Sequence, residues 1–198
     1  MTIENKRSDP TMPVARRDFL RLGTVAAIAV SAAALVPTDA LAFPNPGKIH
    51  RQLAFINQHT SEHLNTEYWA KGHYRRDALR AVNRLFRDHR TGAVHSIDPR
   101  LLDVVYHLKK RVGAHGPFHI VSGYRSPATN AMLMESDHPG VARHSYHVKG
   151  MAVDLYLPGY SLDRLHRAAL ALRAGGVGYY PDNGFIHLDV GPLRRWEL

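Results

Sequence analysis

Two residues that can bind a metal ion, His147 and Asp154, lie seven positions apart in the segment His144-Ser-Tyr-His-Val-Lys-Gly-Met-Ala-Val-Asp154. Gly150 stands between them, and the alternation of large apolar residues with other types that follows it predicts a strand over residues 151–157. Successive side chains on a strand point to opposite faces, so Asp154 is expected on the face away from the large apolar residues. Because an unpaired buried carboxylate is costly, this side chain needs a partner, and a metal ion is one such partner.

A second candidate strand carries a possible third ligand. The segment Gly184-Phe-Ile-His-Leu-Asp-Val-Gly191 alternates in the same way, with His187 and Asp189 on one face. If the two strands are neighbours, His147, Asp154 and His187 can converge. Two histidines and one carboxylate form a tripod for zinc that leaves a fourth position for water or substrate. The alternative is a pair of ordinary histidines and a hydrogen-bonded aspartate, since the chain has 14 histidines.

The motif Ser145-x-His147-x-x-Gly150-x-Ala152-x-Asp154 resembles the signature of the zinc D,D-peptidases. That superfamily includes D-alanyl-D-alanine carboxypeptidases and the hedgehog signalling domain. Three further segments resemble the YcbK-like branch, which contains murein endopeptidases: Ser122-Gly-Tyr-Arg-Ser126, Gly175-Gly-Val-Gly-Tyr-Tyr-Pro181 and Phe185-Ile-His-Leu-Asp189. The resemblance covers roughly residues 49–198 and implies one zinc ion, held by the two histidines and the aspartate described above.

The resemblance also implies amide hydrolysis by water that zinc activates, since zinc lowers the pKa of bound water to about 7. Arg125 corresponds to the arginine that relatives use on the substrate; the alternative is an arginine that pins its loop to an internal carboxylate. Many relatives place an acid shortly before the last zinc histidine, but Gly184 occupies that region here. We therefore expect Asp189 to act as general base or to orient a ligand, with Asp182 as the nearest upstream acid. His144 is predicted to contact substrate, or else to be a flexible-loop histidine.

Composition limits the cellular setting of this domain. The 198 residues carry a formal net charge of +9 and contain no cysteine, which excludes disulfides, thiolate ligands and a cysteine nucleophile. One domain is the natural expectation for this length. A positive charge outside the cytoplasm indicates an anionic partner such as the cell wall, although a solvated basic surface fits equally well. Nucleic acid is the usual partner of basic proteins, but the export signal described next argues against it.

The first 42 residues read as a signal peptide. Paired arginines at positions 16 and 17 precede Phe19-Leu20, a neutral run follows, and Ala40-Leu-Ala42 offers a small-residue cleavage site. This pattern predicts the twin-arginine export machinery as a partner and a periplasmic location. The alternative is a short membrane anchor, but the neutral run falls short of the ~20 residues needed to span a bilayer, so no stable span is expected after cleavage. Residues 43–48 are predicted as a linker, and residues 49–198 as a single zinc peptidase domain.

Hydrophobic spacing and capping residues predict the elements of that domain. Asp98 as N-cap, Pro99 at the first helical position and Gly113 at the end delimit the clearest helix. Helices first and strands mostly second indicate an α+β fold, in which a small antiparallel sheet carries the metal site and helices pack against it. The other predicted helices cover 75–90, Ser126 to about Glu135 and the segment after Ser161, and the predicted strands cover 51–57, 119–122, 151–157, 177–180 and 185–190.

Two classes of function fit these observations. The first is an exported zinc peptidase that hydrolyses peptide cross-links in peptidoglycan, a murein endopeptidase. A D,D-carboxypeptidase acting on murein stem peptides is the alternative within this class, with Arg125 holding the terminal carboxylate. The second class is a non-catalytic module that zinc stabilises and that binds the cell wall, which the missing upstream acid favours.

Overall fold

The structure, a computed structural model, describes residues 49–136 and 142–198. The predicted signal peptide (residues 1–42) and the predicted linker (residues 43–48) lie outside these ranges. In the part of the chain that is described, every helix is too short or too polar to cross a membrane.

The described ranges contain eight strands, four α-helices and one 3-10 helix. The strands are β1 (Arg51–Asn57), β2 (His63–Ala70), β3 (His73–Tyr74), β4 (Phe118–Ser122), β5 (Ala152–Tyr156), β6 (Gly176–Tyr180), β7 (Phe185–Asp189) and β8 (Arg194–Glu197). The helices are α1 (Arg76–Leu85), α2 (Pro99–Val112), α3 (Pro127–Glu135) and α4 (Leu162–Leu170), with the 3-10 helix at Tyr146–Lys149.

All eight strands form one sheet in the order β3-β2-β1-β4-β5-β7-β6-β8. The α+β class is confirmed, and β6 and β7 are antiparallel as the turn between them predicted. The sheet is larger than predicted, and it is mixed, because β1 pairs with β4 and β6 with β8 in parallel. The prediction missed β2 because this strand lies near the sheet edge, where its first five residues are all exposed or half-buried and show no apolar period.

One face of the sheet packs against α1, α2 and α4 to form the hydrophobic core. Val153 and Leu155 of β5 and Ile186 and Leu188 of β7 are fully or almost fully buried in it. Because side chains alternate along a strand, the residues between them lie on the opposite face, where the polar ligand candidates are found. The helix-packed face therefore fixes which residues of β5 and β7 are available for chemistry.

Helix α2 has the predicted boundaries, whereas α1 ends earlier than predicted. Asp98 caps α2 by accepting a hydrogen bond from the Arg100 amide at 2.9 Å. Gly113 ends the helix with a φ of 65°. Helix α1 stops at residue 85 rather than 90 because the Asp88 carboxylate accepts hydrogen bonds from the amides of Arg90 and Thr91, which closes a turn instead.

Gly150 connects the metal-ligand segment to the start of α2. Its φ is +66°, and a Cβ there would overlap the carbonyl oxygen of Ser96. Its own carbonyl accepts a hydrogen bond from the Asp98 amide at 2.9 Å. The backbone thus approaches the segment before α2 so closely that only glycine fits.

We expect Gly150→Ala to destabilise the protein by about 3 kcal/mol, the sum of a left-handed alanine, about 1–2 kcal/mol, and overpacking, about 1–3 kcal/mol. Gly159→Ala is the matched control, because Gly159 has a φ of +74° but nothing within 4 Å of an added Cβ. It should cost only about 1 kcal/mol. Urea unfolding of the two variants measures the difference, and equal losses would show that the close approach at Gly150 is unimportant.

Candidate metal centre

His147 is presented by the 3-10 helix between two residues that fix its ends. The Ser145 hydroxyl caps the helix by accepting a hydrogen bond from the His147 amide at 3.3 Å. Gly150 ends it in the left-handed conformation, after which the chain enters β5. The spacing of the motif thus follows from the structure: Ser145 caps the helix, His147 is the ligand, and Gly150 turns the backbone into β5.

Strand register brings Asp154 and His187 together. The two residues face each other across the antiparallel pair β5–β7. Asp154 Oδ1 lies 2.8 Å from His187 Nδ1 and 3.2 Å from His147 Nε2, and the two histidine nitrogens are 3.1 Å apart. All three side chains are buried. They form the group of potential metal ligands found among the described residues.

Hydrogen bonds on the outer side of each imidazole determine which atom faces inward. His147 Nδ1 lies 2.7 Å from the carbonyl oxygen of Gly123, so it must donate, and Nε2 of the neutral ring keeps a lone pair. His187 Nε2 lies 3.0 Å from Asp189 Oδ2, so it also donates, and Nδ1 keeps a lone pair. Together with Asp154 Oδ1, three acceptors therefore meet with no donor among them. Such a cluster requires a cation, which is either a proton on a histidine or a metal ion.

The electrostatic surroundings favour the protonation states that a divalent metal needs. Burial lowers the pKa of His147 to about 4, and the Arg125 charge acts in the same direction. Burial alone would raise the pKa of Asp154, but His147, His187 and Arg125 hold it well below its ordinary value. Burial also opposes protonation of His187, yet its hydrogen bonds with Asp154 and Asp189 raise its pKa. The residues thus fit a metal ion, which competes with a proton only at His187.

Arg125 lies against the metal-binding group. Its Nε donates to Ser122 Oγ at 2.9 Å and its Nη2 to Asp154 Oδ2 at 2.5 Å. The guanidinium is therefore tied to an internal carboxylate, which was one of the two alternatives that the sequence left open. The same side chain lines the cavity in front of the site, so it is also within reach of a bound molecule.

Asp189 lies behind His187, on the outer side of its ring. Asp189 Oδ1 accepts hydrogen bonds from the amides of Gly176 (3.1 Å) and Gly191 (2.8 Å), and Oδ2 accepts from His187 Nε2 (3.0 Å) and Arg194 Nη2 (2.5 Å). Burial opposes its ionisation, but these donors lower its pKa. The position does not support Asp189 as general base, because its carboxylate contacts the nitrogen that faces away from the other ligands. It favours the alternative, in which Asp189 orients His187.

The three ligands lie in the wall of a cavity of about 880 Å³. His144, the predicted substrate contact, is exposed and lines this cavity. Asp182 is exposed in the turn after β6 and does not line it. Among the described residues of the lining, Asp154 is the only carboxylate.

Several lining residues were not among the site residues predicted from the sequence. Strand β8 contributes Arg194 and Trp196; the Trp196 ring lies 5.1 Å from that of His187 and its Nε1 donates to the Tyr180 hydroxyl at 2.9 Å. The spacing of two between Arg194 and Trp196 is a signal that they share a strand face, but four residues are too few to establish a period. Two loops that carry no such signal contribute His59, His89 and Arg90.

Comparison with known proteins shows a family relationship across almost the whole described chain. A family model described as peptidoglycan L,D-endopeptidase MepK matches residues 45–196. The chain belongs to this peptidase family. The predicted resemblance to murein endopeptidases of the zinc D,D-peptidase superfamily is confirmed by this membership.

The region that matches relatives of the MepK family spans nearly the full length of those relatives. Peptidoglycan L,D-endopeptidase MepK of Escherichia coli is 42% identical over 184 residues, which span 91% of this chain and 96% of the relative. A Haemophilus influenzae relative, named as a probable enzyme of the same kind, is 38% identical over 183 residues, spanning 92% of this chain and 95% of its own. No solved structure matches the chain with significance.

We predict that His147→Ala abolishes stoichiometric metal binding, because only two of the three converging ligands remain. Zinc content should fall from one equivalent per protein to near zero. Elemental mass spectrometry after dialysis against Zn²⁺ measures it. His144→Ala removes an exposed imidazole from the same segment and should retain one equivalent. One tightly bound equivalent in His147→Ala would contradict this assignment of the ligands.

A second prediction concerns Asp189→Asn. The carboxamide nitrogen would replace an acceptor beside His187 Nε2, since the other oxygen must still accept from two backbone amides. The tautomer of His187 that ligates a metal is then disfavoured, so affinity for Zn²⁺ should fall about 10–100-fold. Competition with a chromophoric chelator measures this affinity, and Asp182→Asn should leave it unchanged. Unchanged affinity with lost peptidase activity would instead return Asp189 to the role of general base.

Proposed function

We propose that this protein is an exported zinc metallopeptidase that cleaves peptide cross-links in peptidoglycan. The observation that carries the proposal is the convergence of two imidazole nitrogens and one carboxylate oxygen in the wall of an open cavity. Membership of a peptidase family and relatives named peptidoglycan L,D-endopeptidase support a murein endopeptidase. The names of these relatives favour, for this chain too, a bond between an L and a D centre.

His147, Asp154 and His187 would hold the metal, and Zn²⁺ suits this donor set. Such an ion would supply water activated at neutral pH and a Lewis acid for the scissile carbonyl. The protein contributes the orientation of each ligand: Gly123 fixes the His147 ring, and Asp189 fixes the His187 ring. Both rings are held in the tautomer that a metal needs before any metal arrives.

Arg125 has two functions in this proposal. Its contact with Asp154 keeps that carboxylate ionised and in place. Because the guanidinium also lines the cavity, it stabilises negative charge that develops on the carbonyl oxygen during hydrolysis. His144, exposed on the same lining, contacts the substrate.

Proton transfer in this site falls to imidazoles rather than to a second carboxylate. Asp154 is the only carboxylate on the described part of the lining, and its ionised oxygens face His187, His147 and Arg125. His144 is the exposed imidazole of that lining that remains for this role, because the rings of His59 and His89 stack on each other. Imidazole has an ordinary pKa near neutrality, which suits a group that must accept a proton and then release it.

An endopeptidase fits the cavity better than the two alternatives. A carboxypeptidase removes one terminal residue, whereas the relatives of this chain are named endopeptidases. A non-catalytic wall-binding module explains the lack of an upstream acid. A structural zinc site, however, is closed by four protein ligands, whereas three converge here in the wall of a cavity. Both alternatives make distinct predictions in the experiment below.

Export completes the proposal. A peptidoglycan substrate requires a location outside the cytoplasm, and residues 1–42 have the features of a twin-arginine signal. We propose that this machinery carries the protein to the periplasm, where its substrate lies, and that cleavage leaves a chain beginning at Phe43.

The experiment that tests the proposal is mass spectrometry of purified cross-linked muropeptides after incubation with the zinc-loaded protein. Dimers joined by an L,D bond and dimers joined by a D,D bond are supplied separately. We expect monomer fragments from the L,D dimers only, and none with a His187→Ala variant, which lacks a ligand. Loss of a single terminal residue from stem peptides would indicate the carboxypeptidase. Intact substrates with folded, zinc-bound protein that retains wall binding would indicate the binding module.

A further inference from the structure

Of the arginines that line the cavity in front of the metal-binding group, one has no ion-pair partner among the described residues. Arg90, Arg125 and Arg194 line it. Arg125 binds Asp154, and Arg194 binds Asp189. Among the described residues, the Arg90 side chain forms no ion pair or hydrogen bond, although its residue is exposed on the lining.

A buried carboxylate holds the turn that carries Arg90. Asp88 is 2% exposed and its Oδ1 accepts a hydrogen bond from the Arg90 amide at 2.9 Å. Its Oδ2 accepts from the Ser126 amide at 2.8 Å. Burial opposes ionisation of Asp88, but the hydrogen bonds from Thr129 and Ser126 hold its pKa far below the ordinary value. The backbone at Arg90 is therefore tied to the loop that contains Arg125.

Beside this arginine lies a flat pair of imidazoles. The rings of His59 and His89 stack with centroids 3.7 Å apart and an interplanar angle of 13°. His59 Nε2 donates to the carbonyl oxygen of Val121 at 2.9 Å, which ties the pair to the end of β4. Burial, together with the nearby His59 and Arg90, lowers the pKa of His89, so that ring stays neutral. The pair thus offers a flat ring surface next to the Arg90 guanidinium.

We infer that Arg90, with the His59–His89 pair beside it, forms an anionic subsite that binds a free carboxylate of the substrate away from the scissile amide. Stem peptides of peptidoglycan carry such carboxylates on their acidic and diamino acid residues. A guanidinium binds a carboxylate through two parallel hydrogen bonds. Asp154, the only acid on the described lining, binds Arg125, which leaves Arg90 available. The inference rests on the proposed function, because it concerns the same cavity and the same substrate.

Other arginines of the chain show what a merely solvated cation looks like. Arg80 and Arg84 are exposed on α1 and do not line the cavity. Arg90 differs from them in facing the cavity of the metal-binding group and in having its backbone fixed by a buried carboxylate. The difference makes Arg84 a matched control, since its replacement removes the same charge from a nearby surface.

The test uses two cross-linked muropeptides that differ only in one group, a free carboxylate or its amide on the diamino acid. Steady-state kinetics are measured for the wild type, Arg90→Gln, Arg90→Lys and Arg84→Gln. For the wild type we expect amidation to lower kcat/KM about fivefold to tenfold, mainly through KM, as one charge-assisted contact in a partly open site is lost. For Arg90→Gln, kcat/KM on the free carboxylate should fall by the same factor, and kcat/KM on the amide should equal that of the wild type. Arg90→Lys should give a kcat/KM on the free carboxylate between those of the wild type and Arg90→Gln.

Arg84→Gln should keep the preference of the wild type for the free carboxylate. The subsite is refuted if Arg90→Gln keeps that preference while the wild type cleaves both substrates, and the proposed function then still stands. Equal losses by Arg90→Gln on both substrates would likewise refute it, because they indicate a structural effect. A folded, zinc-loaded wild type that cleaves neither substrate would refute the proposed function and the subsite with it.

Discussion

Three lone pairs that point at one position are the constraint on which the rest of this site depends. Acceptors at His147, Asp154 and His187 lie 2.8–3.2 Å apart. Their mutual repulsion must be overcome by folding energy or by a cation. The repulsion persists in the folded protein because the outer nitrogen of each ring donates to a fixed acceptor. Neither ring can therefore relieve the repulsion by moving its proton to the inner nitrogen. The three converging acceptors therefore select a cation, whatever substrate the cavity binds.

A chain of polar contacts extends this constraint across the sheet. Arg194 on β8 binds Asp189 on β7, which binds His187, which faces Asp154 on β5, which binds Arg125. Each carboxylate is thereby placed between a cation and an imidazole. Because side chains alternate along a strand, a shift of one residue in β5 would turn Asp154 towards the hydrophobic core, and a shift in β7 would do the same to His187 and Asp189. The core packing of Val153, Leu155, Ile186 and Leu188 thus secures the register of the polar face.

The three ligands could be predicted from the sequence, but the roles of the residues around them could not. Strict alternation places His187 and Asp154 on the polar faces of neighbouring strands, so their convergence follows from the pattern once the strands pair. The same alternation puts Asp189 on the face of His187, but only the orientation of the imidazole ring decides that this carboxylate lies behind the ligand. Ring orientation depends on contacts from Gly176 and Arg194, which no local pattern reveals. Loop residues such as Arg90 reach the cavity through tertiary contacts alone, and they were not predicted for that reason.

The balance of charge at the site explains why two arginines are tied to the two buried aspartates. Arg125 compensates Asp154 and Arg194 compensates Asp189, so the protein groups around the ligand position sum to about zero when both histidines are neutral. A divalent ion held there would retain its full charge instead of being neutralised by its ligands. That charge would acidify a bound water and, at low local dielectric, attract anionic groups strongly. An anionic substrate is therefore favoured by the centre itself, and Arg90, which has no ion-pair partner among the described residues, adds direction to that attraction from the cavity wall.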